Sequence, residues 1–212
     1  MESDPKKLIS IASPALCEPP PVLPRELLTE TGLLGEHLLE LLRQKNGFYA
    51  FEGALHVFPA GCRIGIMDVE SWNKDDLWRK GYGDLLNGYL FFAEDVFGGQ
   101  YGIYSSRIFK VDPESAESEE VAEDIDEWAA IILSDYNFHL GYSLAHEWQT
   151  TYGSLPEGKR LLPKIPFVLG GAYEIGNLYA GDALKGMQFR ADMWRQIRDL
   201  PDGAQIELRT VE

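Results

Sequence analysis

The sequence predicts an α+β fold in which a central antiparallel sheet of about five to six strands has helices packed against it. Short apolar segments follow one another through tight turns, which is typical of an antiparallel meander. Helical periodicities lie before and after these segments rather than between them. With 45% hydrophobic and 25% charged residues, the 212-residue chain has the composition of a folded domain and the length for one sizeable core.

The chain is predicted to divide into an N-terminal arm and one domain. Residues 1–24 end in the Pro-rich stretch Pro19–Pro24, which favours an extended conformation over a packed element. Residues 25–212 are predicted to form a single domain that includes a C-terminal helix–strand unit.

The domain is predicted to begin with a helix over Leu33–Gln44, where leucines recur at a spacing of three to four residues. Asn46-Gly47 supplies a stop signal after it. Residues 48–58 then predict a hairpin that turns at Glu52-Gly53. A short strand is predicted over Ile64–Ile66.

A strand meander is predicted for the middle of the chain, after a polar helix over Asn73–Lys80. Tyr89–Ala93 is the most apolar short run and indicates a central buried strand. Gly98-Gly99 marks a turn, Tyr101–Tyr104 returns, and Arg107–Val111 adds a third strand.

Helices are predicted to follow the meander. The first places four apolar residues on one face and acids on the other, and these are Val121, Ile125, Trp128 and Ile132. A second helix is predicted from about Phe138 to Thr151, and a last one from about Ala183 to Arg198. After Pro201-Asp202-Gly203, alternation over Ala204–Arg209 predicts a final strand.

The two cysteines, Cys17 and Cys62, are too few for a disulfide framework and lack metal-type spacing. Two reduced thiols in a cytosolic protein are the simpler interpretation, with a single bridge left open. The residues before Cys17 do not match a secretory or lipoprotein leader, because acids offset Lys6-Lys7 and Pro14 interrupts the apolar stretch. A cytoplasmic location is therefore expected.

The net charge of −15 comes from the first part of the chain. Residues 1–158 carry 27 acidic and 11 basic side chains, whereas 159–212 carry 7 and 8. This balance disfavours binding to nucleic-acid backbones and to anionic membranes. The densest acidic run lies between Pro113 and Glu127 and contains no basic residue. Either it is a solvated surface, or it attracts a basic partner.

Sequence signals for catalysis are weak. Ser143 lies in a Gly-Tyr-Ser-Leu-Ala segment that lacks both the preceding strand and the distant downstream histidine of a hydrolase elbow. His139 and His146 are too far apart on one helix to share a zinc ion. Glu94 and Asp95 follow a buried strand, yet neighbours on a strand point to opposite faces. We therefore predict no enzyme activity, no metal site and no cofactor.

Two segments, Tyr89–Ile103 and Arg107–Glu114, carry a resemblance to a known family. The segments resemble the SUKH superfamily. In its members a buried strand, an acidic turn with Phe-Gly, a return strand and a strand end similar to Val-Asp-Pro-Glu recur. That superfamily includes the yeast cell-wall-synthesis regulator family and many bacterial immunity proteins that neutralise cognate toxins. Residues 166–174 and 197–203 also resemble longer bacterial members, so the resemblance covers roughly residues 30–209.

The resemblance and the charge together predict a non-catalytic immunity protein that binds a basic toxin, such as a nuclease, in the cytoplasm. A regulatory or scaffold protein of the cell-wall-synthesis regulator type is the first alternative, and an enzyme using two carboxylates or a metal is the second. The residues expected to be exposed and to contact the partner are Glu94, Asp95, Gln100, Glu119, Glu120, Glu123, Asp124 and Glu127.

Overall fold

The computed structural model describes residues 3–62, 65–201 and 203–204 and has the predicted α+β architecture. Its main sheet has the strands β1 (Phe48–Ala50), β2 (Leu55–Val57), β3 (Leu90–Asp95), β4 (Gln100–Tyr104), β5 (Arg107–Val111) and β6 (Ser118–Ala122). A separate hairpin is formed by β7 (Lys159–Pro163) and β8 (Leu178–Asp182).

The α-helices of the described residues are α1 (Asp4–Ser10), α2 (Arg25–Thr31), α3 (Leu33–Gln44), α4 (Val69–Trp72), α5 (Ile125–Ser134), α6 (Tyr136–Leu140), α7 (Tyr142–Tyr152) and α8 (Ala183–Ile197). Three 3₁₀ segments are formed by Arg79–Leu86, Phe167–Leu169 and Ile175–Asn177.

The main sheet is an antiparallel meander in which each strand pairs with the next one along the chain. Every residue of β3 is buried, because other segments of the chain pack on both faces of the sheet. On one face Phe92 packs against Trp128 of α5, with ring centres 5.1 Å apart. On the other, Phe91 packs against Trp78 at 5.3 Å. Burial on both faces explains why residues 90–93 of this strand form a continuous apolar run.

Several predicted elements are confirmed within one or two residues. Helix α3 and strand β5 have the predicted bounds, the hairpin of β1 and β2 turns at the predicted glycine, and α8 ends at Ile197. These segments have strong local signals, which are leucine periodicity, turn residues and β-branched or aromatic runs.

The polar helix predicted over 73–80 does not form. The Asn73 side chain donates to the carbonyl oxygens of Val69 and Phe91 at 2.8 and 2.7 Å, and it accepts from the Phe91 N–H at 2.8 Å. These bonds join the end of α4 to β3 and compete with helix continuation. Gly65 and Ile66 form a turn rather than a strand, whereas Ile64 and residues 205–209 of the predicted last strand lie outside the described residues.

The segment after the meander differs most from prediction. Residues 118–122, partly assigned to a helix, form β6, and α5 begins after Asp124, whose side chain caps it. The helix predicted over 138–151 is two helices separated by Gly141, whose φ of 71° breaks the helical path. The hairpin of β7 and β8 was not predicted.

The N-terminal arm was predicted to be extended, but it contains a helix and packs against the domain. Residues 4–10 form α1, and Leu8 is fully buried in the main core. Beyond α1, the Ser13 N–H donates to the Tyr49 carbonyl at 2.7 Å, and the Leu16 N–H donates to the Gly47 carbonyl at 2.9 Å. The arm therefore covers the outer edge of β1.

Cys17 and Cys62 form a disulfide bond, which corrects the prediction of two reduced thiols. Their α-carbons lie 5.9 Å apart although the residues are 45 positions apart in sequence. Among the described residues, no helix combines the length and the apolar composition needed to cross a membrane.

Candidate protein-interaction site

The three candidates at the β3–β4 turn are buried, so the prediction that they are exposed is wrong. Glu94, Asp95 and Gln100 keep only 1%, 4% and 1% of their surface accessible. Glu94 and Asp95 also diverge, because neighbouring side chains on a strand point to opposite faces. Each contacts a different cation, and the two carboxylates do not form a paired acid–base site.

Glu94 is the centre of a buried polar network. Its Oε1 accepts hydrogen bonds from Arg160 Nε at 2.7 Å and from His56 Nδ1 at 3.0 Å. Gln100 Nε2 donates to Glu94 Oε2 at 3.2 Å, and Gln100 Oε1 accepts from Trp72 Nε1 at 2.7 Å. His56 and Gln100 stand opposite Glu94 in the sheet register, whereas Arg160 comes from β7. The network therefore ties the small hairpin to the main sheet.

The network holds Glu94 ionised. Burial alone would raise the pKa of its carboxyl, but the Arg160 charge and the His56 hydrogen bond outweigh that effect and lower the pKa to about 2. Burial lowers the pKa of His56 despite the opposing effect of Glu94. The imidazole is thus neutral and donates from Nδ1, and Arg160 supplies the countercharge.

We expect this carboxylate to make folding sensitive to strong acid. Its pKa is lower in the folded than in the unfolded chain, so the unfolded chain binds more protons between pH 4.5 and about 2. Glu94 should therefore contribute about 3 kcal/mol to the free energy of unfolding above that window, and lose it as the pH falls through it. Urea unfolding at several pH values, with tryptophan fluorescence, measures the loss. A Glu94 carboxyl that titrates near 4.5 in carbon-detected NMR would contradict this account.

Asp95 shapes the turn between β3 and β4. Its Oδ1 accepts from the Phe97 and Gly99 N–H groups at 2.9 and 2.8 Å, and its Oδ2 lies 2.7 Å from Lys110 Nζ. Lys110 also donates to the His139 carbonyl at 2.7 Å. The acidic turn of the sequence is therefore a structural one, in which Asp95 replaces missing backbone partners.

The five acidic candidates after β5 are at the surface, but not on one helix. Glu119 and Glu120 lie on β6, opposite Lys110 and Phe109, and so point to opposite faces of the sheet. The other three candidates surround the start of α5, and these are Glu123, Asp124 and Glu127.

Four of these five acids have partners within the chain. Arg107 lies 3.8 Å from Glu120 and 2.7 Å from Glu123. The Glu127 N–H donates to Asp124 Oδ1 at 2.8 Å, and the Glu123 N–H donates to Glu127 Oε2 at 2.7 Å. Asp124 and Glu127 therefore cap α5. The Glu119 side chain has no hydrogen bond or ion pair to any other described residue, although its backbone pairs with that of Lys110 in the sheet.

The two edges of the main sheet differ. The arm covers β1, whereas β6 has β5 as its one strand neighbour within the described ranges. The uncovered edge carries the exposed residues Ser118, Glu119 and Glu120. An open edge presents backbone groups to a partner strand, and its acids attract a basic one.

A cleft of about 610 Å³ borders this edge. Five carboxylates and two cations line it, including Glu119 of β6 and the buried Glu114 and Arg190. Its aromatic wall contains Phe167 and Tyr173, whose rings stack at 3.8 Å. Sequence reasoning did not select these residues, although the resemblance to longer bacterial family members already marked residues 166–174.

The two histidines that were predicted to share a helix are separated. His139 and His146 lie on different helices, α6 and α7. In the part of the chain that the structure describes, no group of three or more His, Cys, Asp or Glu side chains is arranged to hold a metal ion.

These features define a class: an α+β protein with one antiparallel meander, a covered edge at β1 and an acidic open edge at β6. No protein-family model matches the chain, and no curated protein matches it. It is similar in structure to Atu4351 from Agrobacterium tumefaciens, with a TM-score of 0.57 and 12% sequence identity. The match covers 87% of this chain and 86% of that one, and at this identity it shows the fold alone.

Proposed function

We propose that this chain is a non-catalytic protein-binding domain, an immunity protein of the SUKH type that neutralises a basic toxin. The observation that carries the proposal is the open, acidic β6 edge beside an aromatic cleft. The resemblance of residues 89–114 to the SUKH superfamily supplies the class of partner. Catalysis has no part in the proposal.

The charge of the edge favours a basic partner over other proteins. Nuclease toxins hold phosphates with lysine and arginine, and an acidic surface competes for such a site. Steering by opposite charges also accelerates encounter, which suits a protein that must act before its toxin does. Acids on an edge strand also discourage self-association of sheets, which would explain them without a partner. Binding to the partner must therefore be measured separately from solubility.

We place this action in the cytoplasm. The Cys17–Cys62 bond is the feature that instead favours an oxidising compartment, because disulfides persist there and are rare in the cytosol.

The experiment is co-expression with the product of the adjacent gene. We expect restored growth of cells that make the toxin and a stoichiometric complex by size-exclusion chromatography. The double variant Glu119→Lys and Glu120→Lys should raise Kd at least about tenfold, because it replaces attraction by repulsion at the edge. The control Glu36→Lys with Glu40→Lys changes exposed acids on α3 and should leave Kd nearly unchanged.

Three outcomes would count against the proposal. Absence of both protection and binding would contradict it, and so would equal losses in the β6 and α3 variants, because bulk charge would then explain the effect. Capture of cellular enzymes in place of the neighbouring product would favour the regulator or scaffold alternative.

A further inference from the structure

We propose that the cleft beside β6 takes an arginine side chain of the protein partner. The identity of that partner rests on the proposed function, but the preference of the cleft for a guanidinium group does not. The inference combines three features of the cleft: unpaired carboxylates, an exposed aromatic stack, and its position next to the open edge.

The cleft has more negative than positive groups, and each of its two cations lies beside a carboxylate, although Arg190 Nη1 has no hydrogen-bond acceptor among the described residues. Lys110 pairs with Asp95 at 2.7 Å, and Arg190 Nε lies 3.6 Å from Glu114 Oε1. Glu117 and Glu119 line the same cleft and have no cationic partner among the described residues. Together with Asp112, which also lines the cleft without a cationic partner among the described residues, they leave three carboxylates for an incoming cation.

Glu114 adds an unsatisfied acceptor to these charges. The residue is only 4% exposed, and no described N–H or O–H group donates to its Oε1. Its Oε2 accepts from the Val168 N–H at 2.9 Å, which fixes the carboxylate in place. A buried acceptor without a donor is destabilising, so a ligand that donates there would relieve the cost.

The aromatic wall offers a flat face for a planar cation. Phe167 and Tyr173 stack nearly parallel, with an interplanar angle of 4°. Phe97 supports both rings edge-on, at 5.6 and 5.9 Å. Tyr173 is nevertheless 60% exposed, so part of the stack is available to a ligand. Such a face attracts cations through its quadrupole.

Together these groups favour arginine over lysine. The guanidinium is planar, stacks on aromatic rings and donates in a fork that matches carboxylates, whereas an ammonium is a compact and strongly hydrated point charge. Ser118 and Glu119 belong both to the open edge and to the cleft lining. A partner bound along β6 can therefore place an arginine in the cleft.

The test uses a probe that needs no toxin. The full chain is titrated with Nα-acetyl-arginine methylamide, its lysine counterpart and its neutral citrulline counterpart, while NMR follows the aromatic signals of Phe167 and Tyr173. We expect saturable shifts with arginine, several-fold weaker binding of lysine, and none of citrulline. Tyr173→Ala should weaken arginine binding about tenfold through the lost cation–π contact.

Matched variants keep the result specific. Glu119→Gln should weaken the arginine probe several-fold, whereas Tyr179→Ala, an exposed tyrosine on β8 outside the cleft, should change nothing. Equal responses to arginine and citrulline, or unchanged binding by Tyr173→Ala, would overturn the inference. Arginine binding without recognition of the neighbouring product would refute the proposed function alone. If Tyr173→Ala binds that product with full affinity, the role of the cleft in partner binding is refuted, while the proposed function stands.

Discussion

Arg160→Met is expected to lower the free energy of unfolding by about 3–5 kcal/mol, which is among the largest effects of any single substitution in this chain. The side chains of Arg160 and Glu94 are each only 1% exposed, and Arg160 Nε lies 2.7 Å from Glu94 Oε1. Removal of the guanidinium leaves the Glu94 carboxylate buried with the neutral donors His56 and Gln100. A buried charge without a countercharge is far costlier than a lost surface contact.

Urea denaturation of the variant and the wild type measures this loss. The matched control is Arg195→Met, because Arg195 pairs with Asp192 at 2.8 Å while both side chains are more than 60% exposed. That variant should cost less than about 1 kcal/mol. The double variant Glu94→Gln with Arg160→Met removes both charges and keeps an acceptor for His56, so it should recover at least half of the lost stability. Equal losses of unfolding free energy in Arg160→Met and Arg195→Met would contradict a buried ion pair between Arg160 and Glu94.

Cys17→Ser is the second large effect, and we expect a loss of about 4 kcal/mol under oxidising conditions. The bond joins residues 45 positions apart, so it removes much of the loop-closure entropy of the unfolded chain. The bond also ties the arm, which covers β1, to the segment that follows β2. Loss of the bond should therefore loosen the covered edge first.

The measurement compares urea denaturation of wild type and variant, each with and without dithiothreitol. Reduction should bring the wild type down to the stability of the variant and leave the variant unchanged. A double Cys17→Ser, Cys62→Ser variant controls for the unpaired thiol. Two reactive thiols in the native wild type under oxidising conditions would contradict the bond and restore the sequence-based prediction.

The parts of the fold that local signals specify could be predicted well. The leucine spacing of α3, the apolar run of β3 and the turn residues between β1 and β2 act over a few residues, and each formed close to its predicted place. Apart from the buried Glu114, the acidic run also lies at the surface, since desolvation of so many carboxylates would be prohibitive.

The surface exposure of the candidate residues was predicted in part. The five acidic candidates after β5 lie at the surface, whereas the expected exposure of Glu94, Asp95 and Gln100 was wrong. Carboxylates at a strand end usually face water, and the burial of Glu94 depends on Arg160, which is 66 residues away in sequence. No local pattern contains that information.

The amino-acid sequence was therefore sufficient for the fold class, the strongest helices and strands, and the sign of the surface charge, because these depend on neighbours in the chain. Long-range contacts were needed for the rest. Pairing with β5 turned residues 118–122 into an edge strand, the arm covered the opposite edge, and Phe167 and Tyr173 came to line a cleft with Glu119. Strand pairing and burial are set by residues far apart in sequence, which periodicity and composition do not register.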